Sequence, residues 1–436
     1  MKRTTRSVLT LFALLALAVP FGSGIASASV PRASLDGQKI EVAAVWSGAE
    51  QKNFKSVLDG FTKKTGASVT FTSTGDDISA VLEPRIAGGD APDVAILPQP
   101  GLLKDFVQRG ALKPIESAAG STVDKNYAPI WRELGSVNGQ LYGVWFKAAN
   151  KSLVWYNTSV FGDAGVKPTK SFDSLLKDMQ TVSDSGVAPL SIGAANGWTL
   201  TDIFENIYLA QAGAEKYDQL STHSIPWTDP SVKDALRTMG EMVKGNFLAG
   251  GTSQTLQTDF PASVQNLFAK PPKAGMTVEG DFVAGEITDN TKAKVGSDAK
   301  QFSFPAVGSG EAPTVSGGDA AVMFKDSPAA EALVKYLATP QAASIWARKG
   351  GFLSPNKKVP GSAYPDATTR QIANALVSST NVRFDMSDLQ PSAFGATDGQ
   401  GEWKIFQDFL SDPSNVDGIA GQLESAAAAA YSGQQQ

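Results

Sequence analysis

The sequence predicts an α/β protein with parallel sheets and more than one hydrophobic core. Three observations carry that prediction. Strand-like runs alternate with amphipathic helices between Lys39 and Leu97, a second such region opens near Leu153, and a chain of 436 residues exceeds what one continuous core organises. An alternation of strands and helices implies parallel sheets with covered faces and right-handed crossovers.

Taken in order, residues 1–28 read as an export signal. Lys2, Arg3 and Arg6 precede an apolar run from Val8 to Val19, and Ala26-Ser27-Ala28 supplies the small residues of a cleavage site. A run of that length reaches only about 18 Å at 1.5 Å per residue, short of a hydrocarbon core of about 30 Å. Residues 29–38 are small and polar, as in a linker. Ile40 to Val45 reads as a buried strand, and Glu50 to Thr65 places Phe54, Val57, Leu58 and Phe61 on one helical face before Gly66, a natural stop. Ser68 to Thr72 is a second strand, Ile78 to Ala87 a second helix, and Val94 to Leu97 a short apolar strand between Pro92 and Pro98. The second region starts at Leu153-Val154-Trp155-Tyr156 and continues through helices near 171–184, 201–213 and 231–244. Ala320 to Phe324 is strand-like, and 329–337, 341–349, 401–410 and 416–431 are helical. Residues 432–436 are expected to be a frayed tail. No repeat suggests a solenoid or propeller.

Composition narrows the chemistry. The formal charge is −5, and it becomes more acidic once the three basic residues of the signal are removed, which disfavours nucleic acid or an anionic membrane as partner. The absence of cysteine removes disulfides, thiolate chemistry and an N-terminal lipid anchor. A single histidine, His223, rules out paired-imidazole metal sites, and no GxSxG elbow, GxxxxGK[ST] loop or GxGxxG turn is present. His223 itself, in Ser221-Thr222-His223-Ser224, reads as a solvated loop residue.

Carboxylates and tryptophans remain. Asp76-Asp77, Glu279 with Asp281, and Asp385 with Asp388 suit three roles: the acid pair of a glycosidase, helix caps or solvated acids, or acceptors for ligand hydroxyls. An indole packs against the C–H face of a pyranose while polar groups meet its rim. Trp46, after the first strand, and Trp198, in Asn196-Gly197-Trp198-Thr199, lie where connections leave strand ends and α/β ligands sit. Trp131, Trp155, Trp346 and Trp403 lie on helical or strand patterns and are expected in the core.

Two segments, Gly88-Gly89-Asp90-Ala91-Pro92-Asp93-Val94 and Gly350-Gly351-Phe352-Leu353-Ser354-Pro355-Asn356, resemble the family 1 extracellular solute-binding proteins. Val278-Glu279-Gly280-Asp281-Phe282, Val144-Trp145-Phe146-Lys147 leading to Leu153-Val154-Trp155-Tyr156-Asn157, and Arg383-Phe384-Asp385-Met386-Ser387-Asp388-Leu389 look like the α-glucoside-binding branch of that family. The likeness runs from about Lys39 to about Tyr431. It implies a two-lobed periplasmic-binding-protein fold of type II, maltose-binding-protein-like, with the ligand in the interlobe cleft. The N-terminal lobe would comprise 39–148 and 308–350, and the C-terminal lobe 149–307 and 351–431. It further implies the substrate-binding protein of an ABC sugar importer, taking an α-glucoside of the trehalose, sucrose or maltose type and handing it to permease subunits.

Position by position, the resemblance places Asp77, Gln99, Glu50 and Lys147 in the cleft from the first lobe, with Trp198, Glu279, Asp281 and Phe282 opposite and Asp319 where a strand crosses near the ligand. Lacking the lipobox cysteine of many Gram-positive relatives, the exported chain is expected to be soluble and monomeric, in the periplasm or on the outer face of the cell envelope, with no cofactor and no catalysis. The alternatives are the same fold holding a polyamine, an iron complex or a peptide, a secreted carbohydrate-active enzyme, and a structural or adhesive protein.

Overall fold

The structure is a computed structural model that describes residues 34–378 and 382–433. The expected export signal, most of the linker and the last three residues of the expected tail lie outside the described residues.

Among the described residues, twelve strands form two main sheets and a small hairpin. In the first sheet, β1 (Lys39–Ala44) is flanked by parallel β2 (Ser68–Ser73) and β3 (Val94–Leu97). Helix α1 (Gly48–Thr65) links β1 to β2 and α2 (Ile78–Ala87) links β2 to β3, while α3 (Pro100–Gln108) follows β3. The predicted apolar stripe of α1 is buried, and the helix ends where the chain turns left-handed at Gly66, φ 82°. After the hairpin of β4 (Ser136–Val137) and β5 (Gln140–Leu141) comes β6 (Gly143–Asn150). It pairs antiparallel with one side of β11 (Val315–Met323), whose other side carries β3, also antiparallel, and β12 (Arg383–Phe384), parallel.

In the second sheet the order is β10 (Ala299–Ser303), β7 (Leu153–Asn157), β9 (Ala274–Glu279), β8 (Ala188–Leu190). Only β8 and β9 run parallel here; β10–β7 and β7–β9 are antiparallel, so the expected parallel arrangement holds for β2–β1–β3 and β11–β12 in the first sheet and for one pair in the second.

Three crossings connect the sheets. Lys151 and Ser152 alone separate β6 from β7, residues 304–314 return from β10 to β11, and the chain leaves β12 at Asp385 for the closing helices Gly401–Ser411 and Val416–Gly433. The first two are stitched together: Lys151 N donates to Val315 O (2.9 Å), Val315 N to Ser152 Oγ (2.8 Å), and Phe304 N to Ser152 O (2.8 Å).

Three boundaries differ from expectation. Phe352, Leu353 and β12, expected in the second lobe, pack with the first: Phe352 lies against Phe146 and Trp346, Leu353 bridges Ala148, and β12 joins the first sheet. The last helix continues to Gly433, into the expected tail, because its apolar face at Ile419, Ala420, Leu423 and Ala427 is buried. Strand β11 starts five residues before its expected position. Gly317-Gly318 lies in the extended strand because a Cβ at Gly318 would lie 2.6 Å from the carbonyl oxygen of Lys147 and only glycine allows β6 so close.

Candidate functional site

The parallel strands β1, β2 and β3 point their C-terminal ends the same way, and the segments leaving them (Trp46-Ser47, Gly75-Asp76 and Pro98-Gln99) line a cavity of about 390 Å³. Glu50 reaches it from the first turn of α1 and Lys147 from β6. Asp319 comes from β11 at a register shift between Asp319 and Ala320, an irregularity that re-aims a side chain within an otherwise buried strand. The opposite wall comes from the second sheet's side: Trp198 at the start of the helix Trp198–Ser221, Phe260 in the helix Phe260–Phe268, Phe282 after β9, and Asp388 and Trp403 from the C-terminal segment.

Seven of the expected residues therefore line one cavity: Trp46, Glu50, Gln99, Lys147, Trp198, Phe282 and Asp319. Three do not. Asp77 caps α2, accepting from Ala80 N at 2.8 Å, and its other oxygen accepts from Asp398 N at 3.1 Å. Its neighbour Asp76 faces the cavity instead, where its Oδ2 accepts from Trp198 Nε1 of the opposite wall at 3.3 Å. Asp281 accepts from Asn150 N at 2.8 Å and so braces the end of β6, and Glu279 is buried at the end of β9 beneath the wall. Trp46 lines the cavity, but its ring is held edge-on by Phe54 (4.7 Å) and Trp346 (4.8 Å), so it is largely a core residue. Trp403, expected in the core, also lines the cavity: the helical pattern that buries it says nothing about which end of the helix meets the cleft. Other residues missed by sequence reasoning are Ser47, Lys151, Asn196, Asp259 and Glu286, for which no local motif exists. His223 takes no part; it stacks on Tyr431 and lies 3.2 Å from Glu424.

Both lysines of the cavity are already occupied. Lys147 is bound to Glu50, lies 3.9 Å from Asp319, and sits 5.2 to 5.7 Å from the rings of Phe282, Trp346 and Trp46. Burial alone would neutralise it, but Glu50, Asp319 and Asp281 outweigh that and keep the ammonium charged. Lys151 is bound to Asp202 and Asp385 and lies 5.5 Å from the Trp198 ring.

Burial pushes the carboxyl of Asp281 up to about 7 and that of Asp319 up to about 6, with Lys147 opposing both shifts. A carboxyl whose pKa rises from 3.8 on folding binds more protons in the native state than in the unfolded one between those two values, so its contribution to stability falls as pH rises through that window. Thermal unfolding without ligand is accordingly expected to give a higher Tm at pH 5 than at pH 7.5. A Tm that climbs over this range would show that these carboxyls ionise freely.

Comparison with known proteins follows the same lines. The family profile of bacterial extracellular solute-binding proteins matches residues 46–344. The chain is 33% identical over 368 residues to the osmoprotective compounds-binding protein GgtB of Synechocystis sp., covering 83% of this chain and 86% of that protein. It is also 33% identical over 402 residues to the alpha-glucosides-binding periplasmic protein AglE of Rhizobium meliloti, covering 89% and 86%. Among solved structures, the bacterial solute receptor AcbH, described as preferring β-D-galactopyranose, superposes with a TM-score of 0.77 at 21% identity, covering 90% of this chain and 99% of that one.

Proposed function

The chain belongs to the bacterial extracellular solute-binding proteins, which bind solutes for ABC importers and are not enzymes, and from that premise we propose that its cleft binds an α-glucoside. The observation that carries this reading is the meeting, around one cavity, of indole and phenyl faces from one side (Trp198, Phe260, Phe282 and Trp403) with a row of oxygen acceptors from the other (Glu50, Asp76, Gln99 and Asp319). Flat apolar surfaces suit the C–H faces of a pyranose, and carboxylates accept from neighbouring hydroxyls more strongly than neutral groups do. The identity to an alpha-glucosides-binding protein supports the same choice.

In this reading the sugar stabilises closure because only the closed state lets both walls contact it, and the crossings at 150–153 and 304–315 absorb the rotation. The closed, monomeric complex then delivers its sugar to the permease. Export through residues 1–28 belongs to the same proposal; among the described residues no helix is long and apolar enough to cross a membrane.

A thermal-shift screen against trehalose, sucrose, maltose and their monosaccharides tests it, because a ligand at 100 times its Kd adds about 2.7 kcal/mol to stability. A disaccharide is expected to raise Tm by several degrees, and a screen in which no glycoside shifts Tm sinks the reading. The equal identity to an osmoprotective compounds-binding protein favours a second reading, a compatible solute in the same cleft, so glycine betaine and small polyols belong in the screen.

A further inference from the structure

The second lobe touches the first outside the cavity through one short helix, Val283–Asn290, which follows β9. Its first turn lies against Gly351, which connects the first lobe's helix Pro340–Ala347 to Phe352. Gly351 turns left-handed, φ 62°, and a Cβ there would lie 2.8 Å from Gly285 N, 2.9 Å from Gly285 Cα and 3.4 Å from Phe282 O, so no side chain fits. From the other side, the only atom beyond its own helix that a Cβ at Gly285 would meet within 4 Å is Gly351 Cα, at 3.7 Å. Backbone meets backbone at this point. One turn further along, Asp289 reaches Lys52 of α1 at 3.6 Å. None of these four residues lines the cavity.

The same helix carries part of the cavity wall. Phe282, just before its first turn, and Glu286 both line the cavity; with Gly285 and Asp289 they recur at spacings of three and four, which puts all four on one side of the helix. Glu286 Oε1 lies 3.9 Å from where a Cβ at Gly48 would stand, so that side faces the start of α1. A ligand that touches Phe282 and Glu286 therefore touches the element that seats on the first lobe. The other contacts between the walls, Trp198 Nε1 with Asp76 Oδ2 and Asp398 N with Asp77 Oδ2, each end on a side chain that can turn aside. Gly285 and Gly351 lack that freedom, because packed backbones give way only if a whole element moves.

We propose that the helix Val283–Asn290 is the latch of lobe closure and that Gly285 sets its fit: the space at Gly351 admits glycine or alanine at position 285, and a larger side chain holds the lobes apart. The proposal rests on the binding reading above, in which a bound glycoside contacts both walls only in the closed state. A wedge at position 285 then acts on closure, since it removes no group that lines the cavity.

The test combines small-angle X-ray scattering with calorimetric titration of the full chain, using the disaccharide that raises Tm most. Wild type, Gly285→Ala and Gly285→Leu are compared; alanine and leucine both favour a helix over glycine, so neither substitution works against the local structure. Wild type is expected to have a smaller radius of gyration with saturating disaccharide than without it. Gly285→Ala keeps that compaction and binds within about threefold of wild type, because 3.7 Å is an ordinary contact distance. Gly285→Leu is expected to bind at least about tenfold more weakly and to lose the compaction. If the leucine variant does not fold, Lys52→Glu and the swapped pair Lys52→Glu, Asp289→Lys carry the comparison: the single variant weakens binding about twofold to fivefold at low salt, and the swap restores it. A folded leucine variant that binds and compacts like wild type, a swap that restores nothing, or a wild type that binds without compaction overturns the latch while leaving sugar binding intact. If no saccharide binds, the underlying reading fails, and the latch with it.

Discussion

Replacing Lys151 by methionine is expected to lower the free energy of unfolding by about 3 to 5 kcal/mol near neutral pH, the cost of removing one partner from a buried ion pair. Lys151 sits between β6 and β7, in the shortest crossing between the sheets, and its ammonium donates to Asp202 on the helix Trp198–Ser221 and to Asp385 where the chain leaves β12. Asp388 lies 4.0 Å away, and Glu205 accepts from Met386 N and Ser387 N alongside. Burial favours the neutral form of all these acids. Asp202, Glu205 and Asp388 are pushed up, whereas at Asp385 the charge of Lys151 outweighs burial and holds the carboxyl below its ordinary value.

Methionine keeps the stem that packs over Gly317 and removes only the charge. Without it the Asp385 carboxyl rises as well. A folded-state pKa raised above the unfolded value loses stability as pH increases, so the deficit of the variant should be larger at pH 8 than at pH 5. Urea denaturation at both pH values checks this. A variant that matches the wild type at pH 8, or whose deficit is the same at both, would show that the lysine acts through packing alone.

Trp198→Ala is expected to weaken disaccharide binding by more than tenfold, over about 1.4 kcal/mol, with little change in stability. The indole is half-buried and projects from the first residue of its helix into the cavity, with Phe260 at 5.5 Å and Phe282 at 6.3 Å completing an aromatic wall. Its Nε1 also donates to Asp76 Oδ2 of the opposite wall at 3.3 Å. Truncation therefore removes both a stacking surface and a contact made only when the walls are together, so it acts on the bound state more than on the fold. Calorimetry with circular dichroism separates the two effects; affinity within about twofold of wild type in a folded variant removes Trp198 from the site.

The legibility of the site followed the kind of signal each residue carries. Trp46 lies just beyond a strand whose pattern is visible in the sequence, so its place at a strand end could be anticipated, whereas Gln99 and Glu50 were placed in the cleft by resemblance. Asp76 and Asp77 show the limit of that approach: adjacent acids before a helix are equivalent in sequence, and only the backbone at Asp77 decides which one caps. Glu279 and Asp281 were associated with the cleft by resemblance, yet the structure turns both inward, toward Lys151 and Asn150, while Phe282 between the sheets keeps its place in the wall. Lys151 had no local signature, and the helical pattern around Trp403 pointed only to the core.

By itself the sequence determined the α/β character, the order and most boundaries of the first elements, and the exclusion of thiol, paired-histidine and P-loop chemistry, because hydrophobic period, caps and composition are local properties. The tertiary structure alone decided the antiparallel course of β11, the return of β12 to the first sheet, and which carboxylates line the cavity and which hold a lysine. Those outcomes depend on contacts between residues hundreds of positions apart, such as Lys151 with Asp385, where burial and charge act through space and leave no trace in the spacing of neighbours.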